Sequence, residues 1–248
     1  MANLQRDLAT ADVGDALRFC RTCAFSAACL DSGYDKSRLQ ELHVLIDHTD
    51  PFVRGSYLFR EGAPFSTIAA VRTGAVKTCL TGSDGREQVL GFFLPGEVIG
   101  LNAIANGRYP CDAIALEDTV LCQVSFSGMA ELAARLPAVQ ARLFALLSED
   151  IAKAALLAGD FPARERLAAF IMSLARRHAA RGQSGRRLRL PMPWSDVASH
   201  LRLAPETVSR LAKGFQNEGL LQMERREIDI LDVTALETLA GDILRDPP

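Results

Sequence analysis

Apolar positions fall into two regimes along the chain. From Phe52 to Phe126 short apolar runs are separated by Gly55, Gly62, Gly74, Gly82, Gly85, Gly91, Gly96, Gly100 and Gly107. Turns at intervals of about eight to twelve residues predict a small antiparallel barrel or roll. Within it, alternation across Val120 to Phe126 places Val120, Cys122 and Val124 on one face and Leu121 and Gln123 on the other. Helical spacing appears in Arg38 to Asp47, at Leu39, Leu42, Leu45 and Ile46, and dominates from Pro137 onward. Pro137 to Ala158 is the longest uninterrupted helical pattern, with Leu143, Leu147, Ile151, Ala154 and Ala158 in one apolar seam. A seam that outruns its own domain predicts pairing with a second copy. Gly159 to Pro162 breaks that helix, and Arg164 to Ala180 begins another around Leu167, Phe170, Ile171 and Leu174.

Two shorter helical patterns follow, after an alternating stretch at Leu188, Leu190 and Met192. Val197, Ala198 and Leu201 define the first, and Leu203 closes a short turn before a second begins at Pro205. This spacing predicts a helix-turn-helix over Trp194 to Leu220. Pro205 suits a first helical position and Gly219 the residue just past the end. Val208, Leu211 and Phe215 form the core stripe, which leaves Glu206, Ser209 and Arg210 on the opposite face near the helix start. That face can enter the major groove of double-stranded DNA. Glu206 can accept from cytosine N4, Arg210 can fork onto guanine O6 and N7, and Ser209 can serve several bases. Lys213, one turn on, suits a phosphate. Leu220 to Asp232 alternates about Arg225 and Arg226, the pattern of a hairpin wing.

Charge sharpens this picture. The 248 residues carry a net charge of -2. Between Phe161 and Arg226, however, 13 Lys and Arg stand against 5 Asp and Glu, a net of +8 that leaves -10 on the remainder. A basic C-terminal module on an acidic body is the footprint of a nucleic-acid binder. No run approaches the ~18 apolar residues of a membrane helix, no leader pattern opens the chain, and a cytoplasmic protein without membrane contact is expected. Enzymatic function of the cupin type needs clustered histidines. Only His43 and His48 lie near the roll in sequence, while His178 and His200 stand alone and read as helix-surface residues. The chain is therefore expected not to be an enzyme.

In a reducing compartment clustered thiols point to metal or redox chemistry. Cys20, Cys23 and Cys29 fall within ten residues, a spacing that lets one loop enclose a metal centre bound by soft thiolates, iron-sulfur or zinc. A fourth ligand is missing, and spacing does not choose among Cys79, Cys111 and Cys122. Direct thiol oxidation at Cys20, Cys23 or Cys29, or a zinc-bound structural loop, are the alternatives to a cluster.

From Cys20 onward the chain resembles the CRP/FNR superfamily of bacterial transcription regulators, and within it the oxygen-sensing FNR branch. The carriers are Cys20-x-x-Cys23-x5-Cys29, GREQVLGFFLPGEVIG from Gly85, LEDTVLCQVSF from Leu116, ERLAAFI from Glu165 and PETVSRLAKGF from Pro205. The resemblance implies an α+β chain: a cyclic-nucleotide-binding-like β-roll or jelly roll, a long dimerisation helix and a C-terminal winged helix-turn-helix. The expected divisions are 1–35 (arm and cysteine loop), 36–136 (roll), 137–160 (dimer helix) and 161–248 (DNA-binding domain). It implies a 4Fe-4S cluster on Cys20, Cys23, Cys29 and the internal cysteine of an LE-x-T-x-x-C pattern, here Cys122. It also implies a homodimer whose Glu206, Ser209 and Arg210 read half-sites like TTGAT in an inverted repeat. The turn Gly82 to Arg86 resembles the family's surface for RNA polymerase.

Two departures matter. Cyclic-nucleotide receptors of the superfamily set an Arg-Ser pair on the phosphate, where this chain has Pro110, Cys111 and Asp112. An acid beside a phosphate repels it, and no cyclic nucleotide is expected. FNR-like sensors often carry an acidic residue on the dimer seam where Ala154 stands, so partial dimerisation without the cluster is expected.

Overall fold

A computed structural model describes residues 46–244. Cys20, Cys23 and Cys29, and with them the expected cysteine loop, lie outside the described residues. The chain divides into two compact units, one running to Val76 and resuming over Phe92–Leu147, the other made of Lys77–Gly91 and the chain from Ser148.

The first unit is the expected antiparallel roll. One sheet has the order β1-β8-β3-β6, from β1 (Ile46–His48), β3 (Thr67–Thr73), β6 (Val98–Ile99) and β8 (Val120–Ser125). β2 (Tyr57–Phe59) pairs with β7 (Asp112–Ala115), Tyr57 opposite Ile114. Ala69, Val71, Val76, Ile99, Ala113 and Leu121 fill the space between the strands. The opposite face of the β1-β8-β3-β6 sheet contributes Ile68, Ala70, Cys122 and Val124 to a second apolar cluster. There they meet Met129 and Leu132 of helix α1 (Phe126–Arg135) and Val139 and Leu146 of helix α2 (Pro137–Ala158). The alternation expected along β8 is therefore present, with Cys122 and Val124 on one side and Leu121 on the other.

Two local expectations give way here. Ile46 and Asp47, expected to end a helix, belong to β1, because Ile46 pairs with Val124 and Asp47 with Gln123 of β8. Pairing with an established strand overrides a weak helical period. Gly91, expected in a turn, lies inside β5 (Glu87–Phe93). Helix α1 was not foreseen from the spacing. It is short, and it starts where the Ser125 hydroxyl accepts from the Gly128 N–H at 3.1 Å.

The second unit holds the hairpin of β4 (Val76–Thr81, entering from the first unit) and β5, joined through Gly82 to Arg86, and the winged helix-turn-helix. Helix α3 (Ala163–Ala180) buries Leu167, Phe170, Ile171 and Leu174, the set its spacing marked. It is followed by β9 (Arg187–Arg189), α4 (Trp194–His200), α5 (Pro205–Asn217), β10 (Leu221–Glu224), β11 (Glu227–Ile230) and α6 (Val233–Ala240). The three strands lie in the order β10-β11-β9. The small helix α6, also unforeseen, is capped by Asp232, whose carboxylate accepts from the Ala235 N–H at 2.9 Å. Phe215 is fully buried, which is worth on the order of 2–3 kcal/mol in transfer terms alone.

His200 corrects the sequence reading. It is half-buried rather than exposed, and burial lowers its imidazole pKa to about 4, helped by the nearby positive charge of Arg177 and resisted by hydrogen bonds with the backbone of Val89 and Leu90. Its ring centroid lies 5.9 Å from that of Phe170.

Two tests follow from these packings. At Gly74, between β3 and β4, φ is +83°, and a Cβ would stand 2.5 Å from the Asp118 carbonyl oxygen and 2.9 Å from Thr119 Cα. Both are backbone atoms, so Gly74→Ala should cost more than about 2 kcal/mol, read as a lower unfolding temperature by circular dichroism. For His200, folded and unfolded forms are both neutral above pH 6.5. Between pH 6.5 and about 4 the unfolded chain takes up a proton that the folded site refuses, so stability falls with pH, by on the order of 3 kcal/mol at most. The urea midpoint of wild type should drop further between pH 7 and pH 5 than that of His200→Gln.

Candidate nucleic-acid interface and sensor thiol

Helix α5 begins at Pro205, with Ala204 as an extended N-cap residue. Val208, Ala212 and Phe215 are buried and Leu211 is half-buried, whereas Glu206, Ser209, Arg210 and Lys213 are all exposed. The four residues singled out from spacing thus share the solvent side of one helix. No hydrogen bond or ion pair within the described residues occupies the Arg210 guanidinium or the Lys213 ammonium.

The helix is fixed from behind. Arg164 of α3 forms a bidentate pair with Glu218 just past the end of α5, and its guanidinium lies 5.2 Å from the Phe215 ring centroid. Gln216 Oε1 accepts from the Met223 N–H of β10 at 3.1 Å, and the Leu231 and Asp232 N–H groups both donate to the Leu220 carbonyl. These bonds tie recognition helix and wing into one body. The wing is the hairpin read from the alternation, with Glu224 opposite Glu227 across a two-residue turn of Arg225 and Arg226.

Helix α4 is anchored by residues that local spacing does not reveal. The Ser199 hydroxyl donates to the Glu87 carbonyl at 2.9 Å and accepts from the Val89 N–H at 3.0 Å, and Gln88 Nε2 donates to the Ser199 carbonyl at 2.7 Å. Lys77 Nζ lies 2.6 Å from Glu87 Oε2 and 3.1 Å from Asp196 Oδ2. Burial disfavours the Lys77 charge, but its hydrogen bonds and the two carboxylates outweigh that cost and raise its pKa. Arg166 holds the far end of α4, donating to the Leu201 carbonyl at 3.0 Å and to the Phe161 carbonyl at 2.7 Å. Partners more than a hundred residues apart, as Gln88 and Ser199 are, leave no periodic trace.

Among the candidate fourth thiols, Cys79 and Cys111 are fully buried and Cys122 is 6% exposed. Burial raises the Cys111 thiol pKa, and Asn102 Nδ2 lies 3.7 Å from its sulfur. Asp112 is occupied structurally, accepting from the Glu61 N–H at 2.8 Å. Among the described residues no group of three or more His, Cys, Asp or Glu side chains gathers as a metal site. Cys122 has a distinct position. Its Cα partner on β1, the first described strand, is His48.

Helix α2 presents two apolar faces. Leu143 and Leu147 pack against the cluster containing Cys122, while Ile151 is 71% exposed and Ala154 is exposed. The side chain of Ala158 lies outside the described residues. Phe144, which the seam did not include, is 62% exposed seven residues before Ile151.

Comparison with known proteins gives two domain matches, a cyclic nucleotide-binding domain over residues 50–135 and a Crp-like helix-turn-helix domain over residues 165–239. The chain is similar to the transcriptional activator protein FnrA of Stutzerimonas stutzeri, 38% identical over 90% of this chain and 92% of that one. The transcriptional activator protein anr of Pseudomonas aeruginosa is 37% identical with the same coverage. Among solved structures, FixK2 from Bradyrhizobium japonicum matches 79% of this chain and 98% of its own with a TM-score of 0.72 at 28% identity. No described helix is long and apolar enough to cross a membrane. A roll, a winged helix-turn-helix and relatives of this kind at 38% identity make the chain a member of the CRP/FNR family, whose proteins are transcription regulators and not enzymes.

Proposed function

We propose that this DNA-binding regulator of the FNR type is an oxygen-responsive, cytoplasmic homodimer that controls anaerobic and microaerobic genes. In this reading residues 1–35 carry the sensor loop, 36–136 the roll, 137–160 the dimer helix and 161–248 the DNA reader. Cys20, Cys23, Cys29 and Cys122 would hold a 4Fe-4S cluster.

The observation that carries it is the setting of Cys122. Its thiol lies on the side of β8 that faces α1 and α2, and Ile68, Ala70, Met129, Leu132, Val139 and Leu146 share its apolar cluster. A donor set of four thiolates with an apolar surround fits an iron-sulfur centre. When bound, such a cluster supplies an oxygen-labile link between the N-terminal segment and β8. The chain's own residues do the rest. Cys20, Cys23 and Cys29 on the segment and Cys122 on β8 would hold the group, which would tie the segment to the strand whose Cys122 shares an apolar cluster with Leu143 and Leu147. That packing would hold α2, whose exposed Phe144 and Ile151 would then meet their twins beside Ala154 and Ala158, while Leu143 and Leu147 of the expected seam face the roll's own cluster. An uncharged Ala154 leaves this pairing partly available without the cluster.

Two-fold pairing sets two α5 helices about 34 Å apart, one turn of DNA, on an inverted repeat resembling TTGAT-N4-ATCAA. Glu206, Ser209 and Arg210 read base edges, Lys213 holds a phosphate, and the Gly82 to Arg86 turn meets RNA polymerase. No cyclic nucleotide serves as effector in this reading, because the neighbourhood in which the superfamily's receptors carry an Arg-Ser pair for the phosphate holds Pro110, Cys111 and Asp112 here, and an acid beside a phosphate repels it.

Anaerobically purified protein should carry iron and sulfide with visible absorbance, and Cys122→Ser should lose both. Stoichiometric zinc instead, or metal-free protein with oxygen-dependent thiol modification, would overturn the cluster reading. On DNA, Arg210→Ala should cost about 1–3 kcal/mol and relax the choice of one base pair, measured by competition between target and single-mismatch duplexes. Lys213→Ala should weaken target and random duplexes alike and lower the salt slope. Equal losses on both duplexes for Arg210→Ala would remove its base-reading role.

A further inference from the structure

Three helices of the second unit end in the same backbone device. After α3, the Gly182 N–H donates to the Ala179 carbonyl and the Gln183 N–H to the His178 carbonyl. After α5, the Gly219 N–H donates to Gln216 and the Leu220 N–H to Phe215, and after α4 the Arg202 N–H donates to Ser199 and the Leu203 N–H to Ala198. The first residue of each pair is left-handed, with φ of 72° at Gly182, 71° at Gly219 and 53° at Arg202. Glycine is the residue this position favours, since a Cβ is strained there. Two of the three ends use it, and the end beside the start of the recognition helix uses arginine.

The wing repeats the choice. Arg225 has φ of 55° in a two-residue hairpin turn, where glycine and asparagine fit best. Among the described residues these two arginines are the non-glycine residues with positive φ. Both are exposed, and no hydrogen bond or ion pair within the described residues engages either guanidinium. Several other arginines of the same unit are occupied. Arg164 pairs with Glu218, Arg176 with Glu237, Arg187 with Glu227 and Asp229, and Arg226 reaches the Pro191 carbonyl. Arg187 also withdraws the charge of Glu227 from the wing tip.

Strained backbone persists where function over-determines it. We infer that Arg202 and Arg225 are contacts to DNA backbone phosphates, one in the turn before the recognition helix and one at the wing tip, kept at positions whose backbone favours glycine. Exposed, uncommitted guanidinium groups at these two turns suit a polyanion, and phosphates accept them without regard to sequence. The inference deepens the DNA-binding reading proposed above and rests on it. It adds to Arg210 and Lys213 two residues that set affinity and register but not base choice.

The test uses the full-length dimer, purified anaerobically, with Arg202→Gly, Arg225→Gly and the corresponding lysine variants. Probes are a duplex carrying TTGAT-N4-ATCAA and a scrambled duplex of equal length, titrated over a range of salt. A dimer carries two copies of each arginine, so each glycine variant should bind both duplexes about thirtyfold more weakly near 0.15 M salt, with the log-log salt slope reduced by about 1.8. Its unfolding temperature should stay equal or rise, because glycine relieves the left-handed strain. Lysine variants should retain most of the slope. Unchanged affinity and slope in the glycine variants, or weaker binding accompanied by a lower unfolding temperature, would overturn the assignment while leaving DNA binding intact. Failure of the wild type to bind either duplex would instead overturn the DNA-binding reading on which it rests.

Discussion

Strand β8 is hydrogen-bonded on both sides, to β1 and to β3, and its side chains therefore have two directions available and no others. The odd-numbered Leu121 enters the space inside the roll, and the even-numbered Cys122 and Val124 enter the layer between sheet and helices. A slip of one residue in either pairing would exchange these sets and bring the thiol into the roll interior, among Val71, Ile99 and Ala113. Register on β8 is thus the constraint that gives Cys122 its neighbours. Because Met129, Leu132, Val139 and Leu146 belong to the same cluster, a change at the thiol is felt directly by α1 and α2. Close-packed apolar layers transmit such a change because they lack slack to absorb it.

In the second unit the division of labour is between arginines that hold the protein together and cations that do not. Arg164 and Arg166 bind carboxylate and carbonyl oxygens around the ends of α4 and α5. With the back of α5 buried through Val208, Ala212 and Phe215, its outer residues face solvent on a helix that has little freedom to reorient. Preorganised donors of this kind lose little entropy when a ligand arrives. Lys77, by contrast, is spent on Asp196 and Glu87 and has no part in the polar face of α5.

Much of this was legible from spacing, and the successes share a cause. The helix-turn-helix, the wing about Arg225 and Arg226, the long helix from Pro137 to Ala158 and the core set of α3 each announce themselves through a period and a stop signal within a few residues. What escaped notice depends on distant chain. Ile46 and Asp47 carry a helical period, yet pairing with Val124 and Gln123 makes them a strand. His200 looks like any residue at a helix end until Val89 and Leu90 are found beside it. The helices α1 and α6 are too short for a period to stand out, although Ser125 and Asp232 supply the caps that mark their starts. Spacing also leaves the exposure of Phe144 unmarked, because the apolar period runs through Leu143 and Leu147, which face the roll's own cluster.

In the proposed homodimer, the placing of Leu143 and Leu147 limits the apolar surface left for pairing. Leu143 and Leu147 are already committed to their own roll, so among the described side chains of α2 the large exposed apolar ones are Phe144 and Ile151. Burying the remaining exposed parts of two such side chains on each of two copies contributes about 4 to 8 kcal/mol. Bringing two chains together costs about 4 to 15 kcal/mol in lost freedom, depending on how rigid the partners already are. The two ranges overlap, so the pairing proposed for this chain would stand near balance rather than be permanent. Near balance, a few kcal/mol of ordering on the Cys122 side of the apolar cluster would be enough to move most of the population in the proposed mechanism. A fully apolar seam would have locked the pair and removed the means of control.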